Sequence, residues 1–195
     1  MRTGQSWLGE YPRERVEVDG FVVRRYTLDD AATMVDAVTA SIEHLRPWMP
    51  WIAYEPQSIE QRRSLLEEWS NEWETKESFA FGIFANDVLV GSTGLHVRSG
   101  PGTLEIGYWV HAGHVGRGIA TLGARAMVEV GFEIPDVDAI EIVHDPSNIA
   151  SRRIPEKLEF AFVGEFVRAD DSHYAQMPLA PAEQGMGCRW RLNRN

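Results

Sequence analysis

Three runs rich in Val, Ile, Phe and Leu, at 79–84, 88–97 and 103–110, follow one another with only Ala85-Asn86-Asp87 and a Ser99-Gly100-Pro101-Gly102 turn between them. Connections this short cannot carry a crossover helix, so the three runs pair as an antiparallel meander. Any fold open to this chain contains that sheet and must cover it. In the third run Leu104, Ile106, Tyr108 and Val110 alternate with Glu105, Gly107 and Trp109. A carboxylate therefore shares one face with a glycine that leaves room beside it.

The flanking pattern supplies the cover. Upstream, a strand over 21–26 leads to Thr27 and Asp30, spaced as a capping box for a helix through about Ile42, which the proline-bearing aromatic loop 44–56 ends. A second box, Ser58 with Gln61, opens an amphipathic helix over 58–76 with Leu66, Trp69 and Trp73 on one side. Downstream, 117–133 reads as a largely buried helix whose wet stripe is Arg125, Glu129 and Glu133. A strand at 139–143, a helix at 148–158, a strand at 160–167, a polar excursion at 169–187 and a last strand at 188–192 follow. A meander first and crossover helices later predict an α/β (α+β) fold, a single domain over 20–195 with one mixed, mostly antiparallel sheet and helices on both faces. Residues 1–19 lack periodicity and read as an N-terminal arm, laid on the surface or partly mobile.

Charge narrows the partners. Lys plus Arg number 19 against 29 Asp plus Glu, a net charge of −10, and no long basic run appears. That argues against nucleic acid and suits cationic partners such as amines. The lone Cys188 excludes an internal disulfide. No stretch has the apolar character of a signal peptide or a membrane span, so a cytoplasmic protein without membrane attachment is expected.

Val115-Gly116-Arg117-Gly118-Ile119-Ala120-Thr121 stands where a strand hands over to the buried helix. Two glycines let the backbone approach a ligand, and the first N–H groups of the helix point outward, so the stretch is either a phosphate cradle or a tight turn. Thr121 stands where a dinucleotide fingerprint wants its third glycine, and no Gly-Lys-Ser/Thr is present, so neither nucleotide motif is met. Asn148 and Ser151 lie three residues apart on one helix face. They are either a pair facing a shared ligand or a helix cap and a solvated serine. His111 and His114 have no further ligands nearby, and no metal is expected. Cys188 reads as a packed thiol. Trp48, Trp51 and Tyr54 either wall a pocket or cap the core.

With IGYWVHAGHVGRGIAT at 106–121, DPSNIASRRIPEKLEF at 145–160 and HLRPWMPW at 44–51, the chain resembles the Gcn5-related N-acetyltransferase (GNAT) superfamily over about 20–192. Within it, the chain is most similar to the RimJ/RimL type, the ribosomal-protein-alanine N-acetyltransferases and their relatives. The resemblance implies a splayed pair of parallel strands at 103–110 and 139–143, acetyl-CoA as donor, and an amine acceptor, either a protein N-terminus or a small amine. Transfer would be direct, within a ternary complex. The backbone of Trp109 and Val110 would pair with the pantetheine arm, and the N–H groups from Gly116 through Arg117, Gly118, Ile119 and Ala120 to Thr121 would hold the pyrophosphate. Asn148 would bond the pantetheine, Ser151 would act as general acid at the thiolate, and Glu105, with Glu165 as rival, would be the base. Read from its strand alone, Glu105 is equally a carboxylate paired with a neighbouring arginine. Both monomer and homodimer fit the resemblance.

Of three departures from the family pattern, two, Val115 and Pro155, keep a non-catalytic acyl-CoA-binding or regulatory module as the alternative. Val115 replaces the usual Arg or Gln, Pro155 an aliphatic residue, and Glu159 a glycine. Pro155 removes the N–H that the Ser151 carbonyl would accept and predicts a kink, and Glu159 predicts loss of the easy left-handed C-cap.

Overall fold

The computed structural model of the chain describes residues 8–194. At its centre is a single sheet of eight strands among the described residues: β1 (Arg15–Val18), β2 (Phe21–Arg25), β3 (Ser78–Ala85), β4 (Val88–His96), β5 (Thr103–Val110), β6 (Ala139–His144), β7 (Ala161–Val167) and β8 (Met186–Asn193). Their order is β1-β2-β3-β4-β5-β6-β8-β7, and every neighbouring pair is antiparallel except β5 with β6. The helices are α1 (Ala31–Thr39), α2 (Ile42–Leu45), α3 (Ile59–Glu74), α4 (Ile119–Glu133) and α5 (Ile149–Lys157). This is the mixed α/β sheet that the sequence pattern predicts.

Local chemistry sets most boundaries. Asn86 and Asp87 both adopt positive φ, 46° and 64°, between paired Ala85 and Val88. Those conformations match the right-handed twist of the β3–β4 hairpin, and Asn and Asp tolerate them better than most residues. Both expected capping boxes form: the Thr27 N–H donates to Asp30 at 2.7 Å, the Ser58 N–H to Gln61 at 2.8 Å, and the Gln61 N–H back to Ser58 at 3.2 Å.

Two expectations need correction. The helix read through Ile42 stops at Thr39, and α2 begins separately. The buried Ser41 hydroxyl turns back to the Ala37 carbonyl at 2.7 Å and accepts the Ala112 N–H at 3.0 Å, a local competitor to the helical ladder. The N-terminal segment is more than an arm, because β1 pairs with β2 along its whole length and Leu8 is buried in the core. Residues 1–7 of that segment lie outside the described residues. The polar stripe of α4 meets the same segment, with Glu129 and Glu133 on Arg13 at 2.7 and 3.0 Å and Arg125 on Asp19.

Two apolar clusters bracket the sheet. On one face, Met34 and Val38 of α1 and Leu66 of α3 pack on Phe84, Leu89 and Trp109. On the other, α4 lies so close that a Cβ on Gly123 would meet Ile83 at 2.6 Å, and one on Gly131 would meet Ile140 at 2.8 Å. Clamped between these layers, β5 stays paired with β4 as far as Val110 but with β6 only at Thr103↔Ala139, Leu104↔Ile140 and Glu105↔Glu141. Beyond Glu141, β6 pairs only with β8. Residues 106–110 therefore keep one backbone edge open, with unpaired donors and acceptors facing the gap.

Candidate active site

The open edge of β5 borders a groove of about 1780 Å³, above the roughly 300–1,000 Å³ usual for one small ligand. At one end the chain leaves β5, makes a short turn at Ala112–His114 and enters α4 through Gly116 and Gly118, whose φ values are +75° and +77°. Only glycine takes that left-handed conformation without strain, and a Cβ at either position would point into open space. The first intrahelical bond runs from the Leu122 N–H to the Gly118 carbonyl at 2.9 Å. The N–H groups of Ile119, Ala120 and Thr121 thus lack helical partners and form an anion-binding terminus. Val115, Gly116, Gly118, Ile119, Ala120 and Thr121 line the groove, whereas Arg117 does not. Trp109 sends its side chain into the core against Trp51 and leaves its backbone, with that of Val110, on the strand edge.

Across the gap stands α5. Asn148 caps it, its Oδ1 accepting the Ser151 N–H at 3.0 Å; its side-chain NH₂ remains for the groove that it lines. The Ser151 Oγ lies 2.8 Å from the Tyr108 Oη of β5, so the two sides of the splay are joined by a pair of hydroxyls. Burial pushes the Tyr108 phenol far above its usual range, which keeps it protonated. The proline at which a kink is expected does not interrupt α5, which runs from Ile149 to Lys157 with Pro155 inside it. Proline costs a single bond there, to the Ser151 carbonyl, and Tyr108 Oη lies 3.4 Å from that oxygen. The left-handed cap expected to be lost is also present, with Glu159 at φ +61°. Its N–H bonds the Glu156 carbonyl at 3.3 Å and the Phe160 N–H bonds that of Pro155 at 3.0 Å, a complete glycine-type C-cap without the glycine.

The α1–α3 face of the groove is built from side chains. Glu105 is buried, its Oε1 accepts from Arg98 at 3.0 Å, and its Oε2 accepts from the Tyr174 hydroxyl. Its parallel neighbour Glu141 is met by Ser99 at 2.7 Å and Arg191 at 3.2 Å. Glu105 thus sits in the arginine-paired arrangement that its strand position left open. Glu165 lies exposed on β7, outside the groove lining, near the Cys188 Sγ at 3.8 Å. Burial and then that carboxylate push the Cys188 thiol up, away from nucleophile character. Trp48, Trp51 and Tyr54 all line the groove; Tyr54 is 72% exposed, and Trp51 packs on Trp109 with ring centres 6.3 Å apart. His111 and His114 face each other at 5.2 Å, and the described residues contain no group of three or more ligands that could hold a metal ion. No helix among the described residues is long and apolar enough to cross a membrane.

Tyr108, Arg98, Tyr174 and His96 escape a reading of the sequence. The only signal for Tyr108 is its alternation within β5, which does not show that the strand beside it departs.

Fold and groove together define an acyl-transfer scaffold, and comparison with known proteins names it. Residues 21–161 match the family model for the acetyltransferase (GNAT) domain, and the chain belongs to that family. It is 33% identical over 107 residues to the probable N-acetyltransferase YjcK of Bacillus subtilis, a match covering 53% of this chain and 59% of that protein. The fold is shared with RimL, the ribosomal L7/L12 alpha-N-protein acetyltransferase solved with coenzyme A, at a TM-score of 0.79 and 16% identity over 92% of this chain and 98% of that one. It is shared too with the microcin C7 self-immunity acetyltransferase MccE, solved with acetyl-CoA and AMP, at 0.78 and 16% over 91% and 94%.

Proposed function

We propose that the chain is an acetyl-CoA-dependent N-acetyltransferase that acts on a primary amine by direct transfer within a ternary complex. The observation that carries this reading is the splay, a strand edge left open between the glycine-built helix terminus and the Tyr108–Ser151 hydroxyl pair. The residues present suit acetyl-CoA. Gly116 and Gly118 leave the space that a pyrophosphate needs, the N–H groups of Ile119, Ala120 and Thr121 balance its charge, and the edge at 106–110 offers an amide-bearing arm the pairing of an added strand. When bound, acetyl-CoA supplies the activated acetyl thioester.

The side chains then divide the work. The Asn148 amide steadies the arm. Ser151, with Tyr108 behind it, gives its proton to the departing sulfur. Trp48, Trp51 and Tyr54 wall the acceptor, a protein N-terminus or a small amine, which the acidic chain attracts as a cation. The attacking amine must also lose a proton. Glu105, the carboxylate implied for that task, is already committed to Arg98 and Tyr174 and serves to hold the groove floor.

Calorimetric titration with acetyl-CoA, CoA and adenosine diphosphate tests the donor site, and thiol release with peptides of free N-terminus, polyamines and aminoglycosides tests transfer. The expected result is one acetyl-CoA per chain and thiol release with one class of amine. No binding of the three would overturn the reading, and binding without turnover would leave the non-catalytic acyl-CoA module.

A further inference from the structure

On the α1–α3 face of the sheet, two glycines stand directly opposite each other, Gly94 of β4 and Gly107 of β5. The hole that they leave in the side-chain layer is filled by the imidazole of His96, two residues along β4. A Cβ on Gly107 would lie 3.0 Å from His96 Nε2, and one on Gly94 would lie 3.4 Å from it. The ring is held from behind: His96 Nδ1 lies 2.8 Å from the Oγ of Ser78, its register partner on β3. Glu72 of α3 stands on the far side of Ser78: burial raises its carboxyl above the usual range, and the Ser78 hydroxyl partly offsets that. A hydroxyl turned toward that carboxyl would accept from Nδ1–H, the tautomer that leaves Nε2 with a bare lone pair. Among the described residues the ring makes its hydrogen bond at Nδ1, and His96, Gly94 and Gly107 all line the groove. A hydrogen bond made by one ring nitrogen of a histidine sets which nitrogen carries the proton, and here Ser78 makes it at Nδ1.

We propose that His96 takes the proton of the attacking amine at Nε2, with Ser78 and Glu72 as positioning residues that keep this nitrogen unprotonated. The proposal rests on the acetyltransferase reading and supplies the base which that reading lacks. Once its ammonium proton has passed to water in the groove, the amine nitrogen bonds the acetyl carbon as the carbon–sulfur bond breaks. Nε2 receives the amine proton, Ser151 supplies one to the sulfur, and exchange with water in the groove removes the first and restores the second. Arg98, Glu105 and Tyr174 also border this part of the groove, as does His173, whose Nε2 is buried without a partner. Burial first, then the charges of Arg98 and His173, hold His96 well below the usual imidazole range. It is neutral, and so competent to accept a proton, across physiological pH.

The test compares wild type with His96→Ala, His173→Gln, Ser78→Ala and Glu72→Gln, using the amine that the panel identifies. In His96→Ala, kcat is expected to fall by about 10²-fold or more, with calorimetric acetyl-CoA affinity unchanged and with recovery on adding free imidazole, which a structural role would not give. In His173→Gln, whatever kcat remains is expected not to rise on adding free imidazole. Nitrogen-15 spectra of the wild-type ring, which need no acceptor, are expected to show the Nδ1–H tautomer, shifting toward Nε2–H in Ser78→Ala and Glu72→Gln. Turnover retained in His96→Ala, loss and imidazole rescue that follow His173 instead, or an Nε2–H tautomer in wild type would each overturn the proposal while the transferase reading stands. A wild type that binds acetyl-CoA and acetylates nothing overturns both.

Discussion

The two halves of the groove are built from different materials. The half proposed for the donor is mostly backbone: two left-handed glycines, three unpartnered N–H groups at the start of α4 and one open edge of β5, with Asn148 and Ser151 added by α5. The acceptor half is side chain, assembled from the 48–54 turn, α3, β3, β4 and the excursion that carries His173 and Tyr174. Backbone recognition needs only local conformation, so it depends little on the side chains around it. Recognition by side chains needs each partner brought in from a separate element. The donor half is therefore the fixed part of the machine, and the acceptor half is where relatives of one fold can diverge.

If the halves are that separate, breaking the foundation of one should leave the other working. Glu55 and Arg62 anchor the acceptor wall, Oε1 to Nη2 at 2.5 Å, with both side chains 2% exposed. Arg62→Ala strands a buried carboxylate, and a loss of about 3–5 kcal/mol in unfolding free energy is expected, read from urea denaturation. Acetyl-CoA affinity of the remaining folded protein should hold. A parallel loss of affinity would mean that the halves share one cooperative structure.

The same division explains what the sequence makes legible. The Asn86-Asp87 turn, both capping boxes and the glycines at 116 and 118 can be read because each effect reaches only a few residues along the chain. The interruption at Ser41 cannot, since it depends on Ala112 arriving from 71 residues away. Tyr108 meets Ser151 only because β6 departs after Glu141, and Glu105 finds Tyr174 only because the 169–187 excursion folds back over the sheet. His96 reads as one more strand residue until the register sets Ser78 against it and two glycines beside it. Fold class follows from periodicity, but an acceptor site made of long-range side-chain pairs follows from register and loop path.

Donor-side substitutions separate binding from chemistry, Ser151→Ala and Gly118→Val above all. Ser151→Ala removes the proposed acid and is expected to lower kcat by about 10²-fold with unchanged calorimetric affinity for acetyl-CoA. Tyr108→Phe should cost less, since it only supports that hydroxyl. Gly118→Val has the opposite signature. A β-branched residue at φ +77° strains the entry to α4, by roughly 1–2 kcal/mol or more, and sets methyl groups in the cradle. Acetyl-CoA affinity should fall about tenfold or more, which is at least about 1.4 kcal/mol, with residual kcat at saturation near wild type. Equal loss of kcat and affinity in both variants would merge cradle and acid into one unit.

The smallest effect sharpens the comparison at α5, the helix that carries Asn148 and Ser151. Glu159 holds a left-handed conformation at its C-terminus, which costs a residue bearing a Cβ roughly 1–2 kcal/mol. Glycine relieves that strain but gains freedom in the unfolded chain, so Glu159→Gly is expected to stabilise the protein by about 1 kcal/mol net, read as a higher urea midpoint at constant slope. Its side chain is exposed, and both cap hydrogen bonds come from backbone atoms, so nothing that holds Ser151 against Tyr108 changes and kcat should stay at the wild-type value. A drop in kcat together with the stability gain would show that the strain helps to set Ser151. The donor half would then depend on stored side-chain conformation and not on backbone alone.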